Sequence, residues 1–301
     1  MIVLRGVRKV RKFKSPIVAL GVFDGVHRGH CNILKSASSC AHDIRGTSIA
    51  LTFDPHPQKE ESLTSLEHRL RLIASQGIDV CLIVNFNKNF QNISAEDFIK
   101  DILVNKLRAA FIFVGANFKF GKGAQGNINT LRKFSKIYNY KLKFSKVIKI
   151  KNRPVSSTSI RALIKKGNLE GAKRLLSRPV TVWGSVIRGT KMGSRLGFPT
   201  ANINPHHEVI PPQGVYAARI ILGARKFNGV CNIGARRTFY KHGKTHIEVH
   251  LFDFHKNIYG KFLEIEFIKK IRDEKKFPSA ASLIDQIRKD ITFAKALLSR
   301  H

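Results

Sequence analysis

The sequence predicts an α/β chain joined to an all-β half: a parallel sheet covered by helices up to about residue 179, then an antiparallel barrel closed by one helix. Three observations support this. Unbroken apolar runs alternate with helical apolar stripes through the first half. At Val180 the hydrophobic period changes to two, with Val180, Val182 and Val186 set against Thr181, Trp183 and Ser185. Short strand-like segments then follow one another with glycines between them and no helix intervening. The expected domains are 1–179 and 180–301.

In chain order, Ile17-Val18-Ala19-Leu20 reads as a buried strand and Ile33, Leu34, Ala37 and Ala41 as the apolar stripe of a helix. Ile49 to Phe53 is a second strand, stopped by Asp54-Pro55-His56-Pro57 because proline cannot continue a ladder. Leu66, Leu70 and Ile73 mark a helix closed near Gly77, and Val80 to Val84 a third strand. Ser94-Ala95-Glu96-Asp97 has the form of a capping box for a helix carrying Phe98, Ile102 and Leu103. Phe111 to Val114 is a fourth strand, followed by a basic strand near 141–150. Val155 to Arg161 heads a helix with Ser157 or Thr158 as the expected N-cap, and a short helix covers Leu169 to Leu176. In the second half the expected strands are Gly214 to Leu222, Gly229 to Ile233, His246 to Asp253 and Lys261 to Phe267. Leu283, Ile287, Ile291 and Leu298 define the final helix.

A chain of 301 residues with 43% hydrophobic content suits two globular domains. No apolar run reaches the roughly 18 to 20 residues needed to span a bilayer, so no membrane partner is expected. Cys31, Cys40, Cys81 and Cys231 show no metal-like spacing and read as reduced thiols, which makes the cytoplasm the expected compartment. The net charge of +34 suits a nucleic-acid binder or an enzyme of polyanionic substrates. It is spread, with 33 basic against 11 acidic residues in 1–180 and 21 against 9 in 181–301. No nucleic-acid motif accompanies it, and nucleic acid is not an expected partner. The sequence leaves oligomeric state and the origin of this charge open.

Four constellations carry chemistry. Gly21-Val22-Phe23-Asp24-Gly25-Val26-His27-Arg28-Gly29-His30 lies between a buried strand and a helix start, where glycines and unpaired N–H groups hold phosphates. Gly21, Phe23, Asp24, Gly25 and Gly29 are its candidate nucleotide contacts, and His27 and His30 would stabilise charge during in-line displacement; the plain alternative is a loop with surface histidines. Ser156-Ser157-Thr158 with Arg161 is either an N-cap beside a surface arginine or an anion clamp. Arg195 to Asn202 reads as neither a good helix nor a good strand. Thr200 and Asn202, beside Pro199, offer neutral oxygens suited to Mg²⁺ carried by a nucleotide, and Gly189 and Gly193 would let backbone approach phosphates. Glu248 alternates with Ile247, Val249 and Leu251 and so shares a strand face with His246 and His250. That face is either solvated or places a general base beside nucleotide.

Together these segments resemble the prokaryotic bifunctional riboflavin kinase/FMN adenylyltransferase family, the FAD synthetases, over nearly the whole chain. The first half carries GVFDGVHRGH, FDPHP, VGANFKFGKGAQG and VSSTSIR; the second carries GSVIRGTKMGSRLGFPTANI, GVYA, GVCNIGARRTF, EVHLFDFHKNIYG and IRDEKKF. The resemblance implies a Rossmann-like nucleotidyltransferase domain and a riboflavin kinase barrel. In the barrel, riboflavin would be phosphorylated by ATP to FMN, with Thr200 and Asn202 on Mg²⁺ and phosphates and Glu248 as base. Arg272 and the segment after it, with Glu274 and Phe277, would shape the flavin site. In the first domain FMN and a second ATP would give FAD and pyrophosphate. There His27 and His30 would act on the transition state, Ser157, Thr158 and Arg161 would grip phosphates, and Asn117 would lie near the nucleotide or the flavin phosphate. Flavins would be substrate and product, with no bound redox cofactor required. The sequence departs from the family at Asn117 (many members carry Asp), Ala124 (many carry a basic residue), Arg237 (usually proline) and Asn257-Ile258. Two other readings stay open: a kinase whose adenylyltransferase half is weak or inactive, and a basic nucleic-acid binder that kept an enzyme fold.

Overall fold

The computed structural model describes residues 1–57, 61–150, 152–190, 192–235 and 245–299. Arg237 lies outside the described residues. The chain divides into two compact units, Met1–Ser159 and Ile160–His301.

In the first unit, β1 (Ile2–Arg5), β2 (Pro16–Leu20), β3 (Thr47–Asp54), β4 (Val80–Asn85), β5 (Phe111–Gly115) and β6 (Lys141–Ser145) form one parallel sheet. The strand order is β1-β4-β3-β2-β5-β6. The helical elements are α1 (Arg28–Asp43), α2 (Leu66–Ala74), α3 (Lys88–Gln91), α4 (Ala95–Asp97), a π-helical stretch Phe98–Lys106 that continues α4, and α5 (Ile128–Tyr138). Ser94 is the expected N-cap, its Oγ accepting from the Asp97 N–H at 3.0 Å, but it donates to Asp97 Oδ2 at 2.7 Å in place of the backbone bond that would complete a capping box. All five residues of β2 are buried, and alternate side chains feed two cores. Val18 and Leu20 join Leu51, Leu82, Phe98 and Leu103 on one face, and Ile17 and Ala19 join Leu34, Ala37 and Ile73 on the other. That double burial explains the uninterrupted apolar run. β2 is followed in sequence by its neighbour β3 on one side, while the later β5 lies on the other, so its C-terminal end is the switch point where such sheets bind ligands.

The sequence reading has no counterpart to β1, a four-residue, mostly exposed edge strand whose Ile2-Val3-Leu4-Arg5 carries no alternation. After β6 come a two-stranded ribbon, β7 (Lys149–Ile150) with β8 (Arg153–Pro154), and α6 (Ser157–Lys165). The N-cap of α6 is Ser156, not Ser157 or Thr158. Ser156 Oγ accepts from the Ser159 N–H, and the Ser156 N–H donates to Ser159 Oγ, both at 3.2 Å. The unit boundary falls inside α6, which assigns Ser157 and Thr158 to the first unit and Arg161 to the second.

The second unit holds α7 (Leu169–Leu176), β9 (Val180–Ile187), α8 (Met192–Arg195), β10 (Ala201–Asn204), β11 (Gly214–Leu222), β12 (Arg225–Ala235), β13 (Thr245–Leu251), β14 (Phe262–Arg272) and α9 (Ala280–Leu298). Its six strands close an antiparallel barrel in the order β10-β13-β12-β11-β14-β9. Val182, Tyr216, Ala218, Ile220, Ile247, Val249, Leu263 and Ile265 are fully buried, as a two-residue period requires when one face fills a small barrel. From Arg195 to Asn202 the chain leaves the end of α8, is turn and irregular backbone over residues 196–200 as expected, and enters β10 at Ala201. The strand is four residues long and half polar, so alternation alone cannot find it, but it closes the barrel by pairing with both β9 and β13. α9 packs on the barrel, Ala294 and Leu298 meeting Ala217 and Phe252.

Candidate active sites

The loop after β2 sits at the switch point. Phe23 and Val26 hold positive φ of 55° and 36° although neither is glycine, and both are buried. Such backbone costs on the order of 1–3 kcal/mol per residue and persists only where its surroundings hold it, as they do here. Gly25 donates its N–H to Thr64 Oγ1 and Thr64 donates its N–H to Asp24 Oδ1, both at 3.2 Å. Gly25 has φ +73°, and a Cβ there would meet Leu63. Ser157 Oγ donates to the Asp24 carbonyl at 2.9 Å, tying the hydroxyl-rich segment to the loop. His27 caps α1, its Nδ1 accepting from the His30 N–H at 3.3 Å. A neutral His27 therefore carries its proton on Nε2, a donor. The two imidazoles stack with centroids 3.6 Å apart, and Phe23 sets its edge against His30. Gly29 fits beside the His27 ring, which a Cβ there would approach to 3.2 Å, and at Gly21 a Cβ would meet the Phe23 ring.

The sequence reading missed Thr64 and Arg69. Arg69 is 3% exposed; its Nη1 donates to the Val22 carbonyl at 3.1 Å and its Nη2 to the Phe53 carbonyl at 3.0 Å. It thus fastens the loop that follows β2 to the C-terminal end of β3. Burial lowers the pKa of the guanidinium, while Asp24 and Asp54 act in the opposite sense. A signal existed: Arg69 lies on the apolar stripe of α2, four residues before buried Ile73, and a buried charge needs partners. Asn117 and Ala124 are both exposed on the chain following β5, and neither belongs to the histidine loop. Arg161 is buried on α6 in the second unit.

The second site lies on the barrel surface. Asn202 of β10 and Asn232 of β12 pair with Glu248 of β13 from either side, so the three share one face. Asn202 is 5% exposed, and among the described residues its Oδ1 has no hydrogen-bond partner. A buried amide oxygen left unpaired costs free energy, and a hard cation would satisfy it. Gly189 presses on this amide, since a Cβ there would overlap the Asn202 side chain. A Cβ on Gly193 would meet the Phe198 carbonyl and approach Thr200 Oγ1 to 3.0 Å. His250 Nδ1 donates to the Pro199 carbonyl at 2.8 Å, anchoring the Phe198-Pro199-Thr200 segment to β13. Glu248, 27% exposed, accepts from His246 Nε2 at 2.7 Å. Cys231 is fully buried, and burial together with Glu248 pushes its thiol above the usual range.

The segment after β14 is braced. Arg272 makes a bidentate ion pair with Asp290 of α9 at 2.8–3.1 Å and lies over the Phe277 ring at 5.6 Å. Asp290 is 3% exposed, so both charges depend on this geometry. Glu274 reaches the barrel surface, where a Cβ at Gly234 would touch its carboxylate.

Comparison with known proteins covers both units. The FAD synthetase family model matches residues 10–159 and the riboflavin kinase family model residues 176–298. A bifunctional riboflavin kinase/FMN adenylyltransferase of Buchnera aphidicola (subspecies Schizaphis graminum) is 37% identical over 98% of each chain. The protein of that description from Haemophilus influenzae is 36% identical over 99% of this chain and 100% of its own. A crystal structure described as a macrolide-efflux protein from Streptococcus pneumoniae superposes with a TM-score of 0.86 at 25% identity, covering 98% of this chain and 99% of that one. Among the described residues no helix is long and apolar enough to cross a membrane. On matches to both halves and relatives this similar along nearly their whole length, the chain belongs to the bifunctional riboflavin kinase/FMN adenylyltransferase family.

Proposed function

We propose that this chain makes FAD from riboflavin in two steps, one on each site, with a working domain boundary at 179/180. In the barrel, the riboflavin 5′-hydroxyl attacks the γ-phosphorus of ATP. Glu248 takes its proton as the new O–P bond forms and the bond to the bridging oxygen breaks, releasing ADP and FMN. The observation that carries this reading is the Oδ1 of Asn202, without a hydrogen-bond partner among the described residues, on the strand position facing Glu248. It suits a divalent ion, which we assign as Mg²⁺ brought with ATP, and Thr200 supplies the second neutral oxygen. Held by Asn202 and Thr200, such an ion would neutralise charge that develops on the phosphates. Gly189 and Gly193 let the backbone close on the phosphates beside Pro199, while Arg272, Glu274 and Phe277 border the flavin.

In the first unit, a phosphate oxygen of FMN attacks the α-phosphorus of a second ATP, and the bond to the pyrophosphate oxygen breaks. His27 and His30 donate to the oxygens that gain charge. The loop from Gly21 to Gly29, with Phe23, Asp24 and Gly25, and the hydroxyls of Ser157 and Thr158 hold the nucleotide, with Asn117 at its edge. Riboflavin, FMN, FAD and ATP are the partners, and the cytoplasm is the compartment we assign. Chromatography of protein incubated with riboflavin, ATP and Mg²⁺ tests this: FMN should accumulate first and FAD follow. Absence of FMN with every divalent metal tried would remove the kinase reading, and absence of FAD from supplied FMN the other half.

A further inference from the structure

We propose that His246 is a positioning residue for the kinase step, holding the Glu248 carboxylate so that one oxygen faces the hydroxyl to be deprotonated. This rests on the reading of Glu248 as the base. His246 and Glu248 are two apart on β13 and so project from the same face. The His246 Nε2 to Glu248 Oε1 distance is 2.7 Å. An ionised carboxylate only accepts, so the ring N–H is the donor. Among the described residues His246 is the one hydrogen-bond partner of this carboxylate.

The surroundings give the contact its purpose. Asn202 and Asn232 flank Glu248 in the sheet register, but neither amide bonds it. A glutamate side chain turns about three bonds, and a base with no fixed partner presents its oxygens in many directions. The bond from His246 engages Oε1 and leaves Oε2 to take the proton. The cross-strand partner of His246, Gly234, has no side chain, and the Glu274 carboxylate occupies that place. Both side chains are about three-quarters buried, at 23% and 27% exposure, so water competes weakly for the bond.

The test compares His246→Leu, which fills the space without a donor, with His246→Gln, which restores an N–H, and with Glu248→Gln. Steady-state riboflavin phosphorylation is measured on the full chain. FMN-to-FAD conversion by the same preparations is the control and should not change. His246→Leu should lower kcat by about tenfold or more while riboflavin KM stays within about twofold, and His246→Gln should recover most of the loss. Unchanged kcat in His246→Leu overturns the proposal. So does an equal fall in the Leu and Gln variants with a raised KM, which describes packing alone. Glu248→Gln separates the two ideas. If it abolishes phosphorylation while His246→Leu is normal, only the positioning role fails; if it remains active, the base assignment fails and the role of His246 with it.

Discussion

The first unit builds its site from backbone and the barrel builds its site from side chains. Around His27 and His30 the chain is held by bonds to main-chain atoms: Thr64 on Gly25, Ser157 on the Asp24 carbonyl, Arg69 on the carbonyls of Val22 and Phe53. Around Glu248 the backbone is ordinary strand, and the proposed chemistry rests on which side chains the register places side by side. Damage should therefore spread differently. In the first site a distant anchor controls many groups at once, whereas in the second each side chain should fail by itself.

The sharpest break of that comparison is a pair of reciprocal variants. Glu248→Gln should cut FMN formation by about 10² to 10⁴-fold and leave FMN-to-FAD conversion intact, the range expected for loss of a general base. His30→Ala should do the reverse. Both are read by chromatography with riboflavin or FMN as the starting flavin, and joint loss in a folded variant would contradict separate sites.

The next effect belongs to Arg69. Replacing it with Met leaves the carbonyls of Val22 and Phe53 without their donors and removes a buried charge held near Asp24 and Asp54. Breaking such a buried arrangement costs about 3–5 kcal/mol. Thermal unfolding of Arg69→Met should show early loss of the first unit, with FAD formation lost and riboflavin phosphorylation retained. A variant that keeps full FAD synthesis and an unchanged melting profile would show that the loop does not depend on this anchor.

The barrel offers the contrasting case in Gly189→Ala, whose new methyl would overlap the Asn202 amide. Overpacking costs about 1–3 kcal/mol, here directed at the amide that carries one of the two oxygens assigned to the metal. Riboflavin kinase activity should fall roughly tenfold or more, and the variant should need more Mg²⁺ for half-maximal rate. An unchanged Mg²⁺ dependence would take Asn202 away from the metal.

The same contrast explains what the sequence could tell. The histidine loop was legible because glycines, histidines and their place after an apolar run are local properties. Glu248 was legible because alternation along β13 assigns its face. Arg69 was not read: its importance arises where the loop after β2 meets the end of β3, a junction of segments separated along the chain, although a charge inside the stripe of α2 was a visible clue. Strand β10 was not read either, because Ala201-Asn202-Ile203-Asn204 is short and half polar and acquires its structure from partners on both sides. The bond from His246 to Glu248 was half legible, since the shared face follows from spacing while the contact depends on rotamers. Asp290 lies in the final helix where an apolar stripe was expected, and its partners Arg272 and Gln286 account for it.

The smallest effect concerns the cap of α6, where the sequence reading was one residue late. Val155-Ser156-Ser157-Thr158-Ser159 offers hydroxyls at four successive positions, so composition could not choose among them. The structure chooses Ser156, which bonds Ser159 reciprocally, and so leaves Ser157 to reach the Asp24 carbonyl. Capping and bracing are thereby divided between neighbours. Ser156→Ala should cost about 1 kcal/mol in denaturant unfolding, with FAD formation falling only as far as the fraction folded. Ser157→Ala removes one exchangeable hydrogen bond and should change stability by a similar or smaller amount. It acts on the loop that carries His27 and His30, so its loss should appear in FMN-to-FAD turnover at full folding. If the two variants behave alike in both measurements, Ser157 is only a second cap, and the first site has one fewer anchor than its geometry indicates.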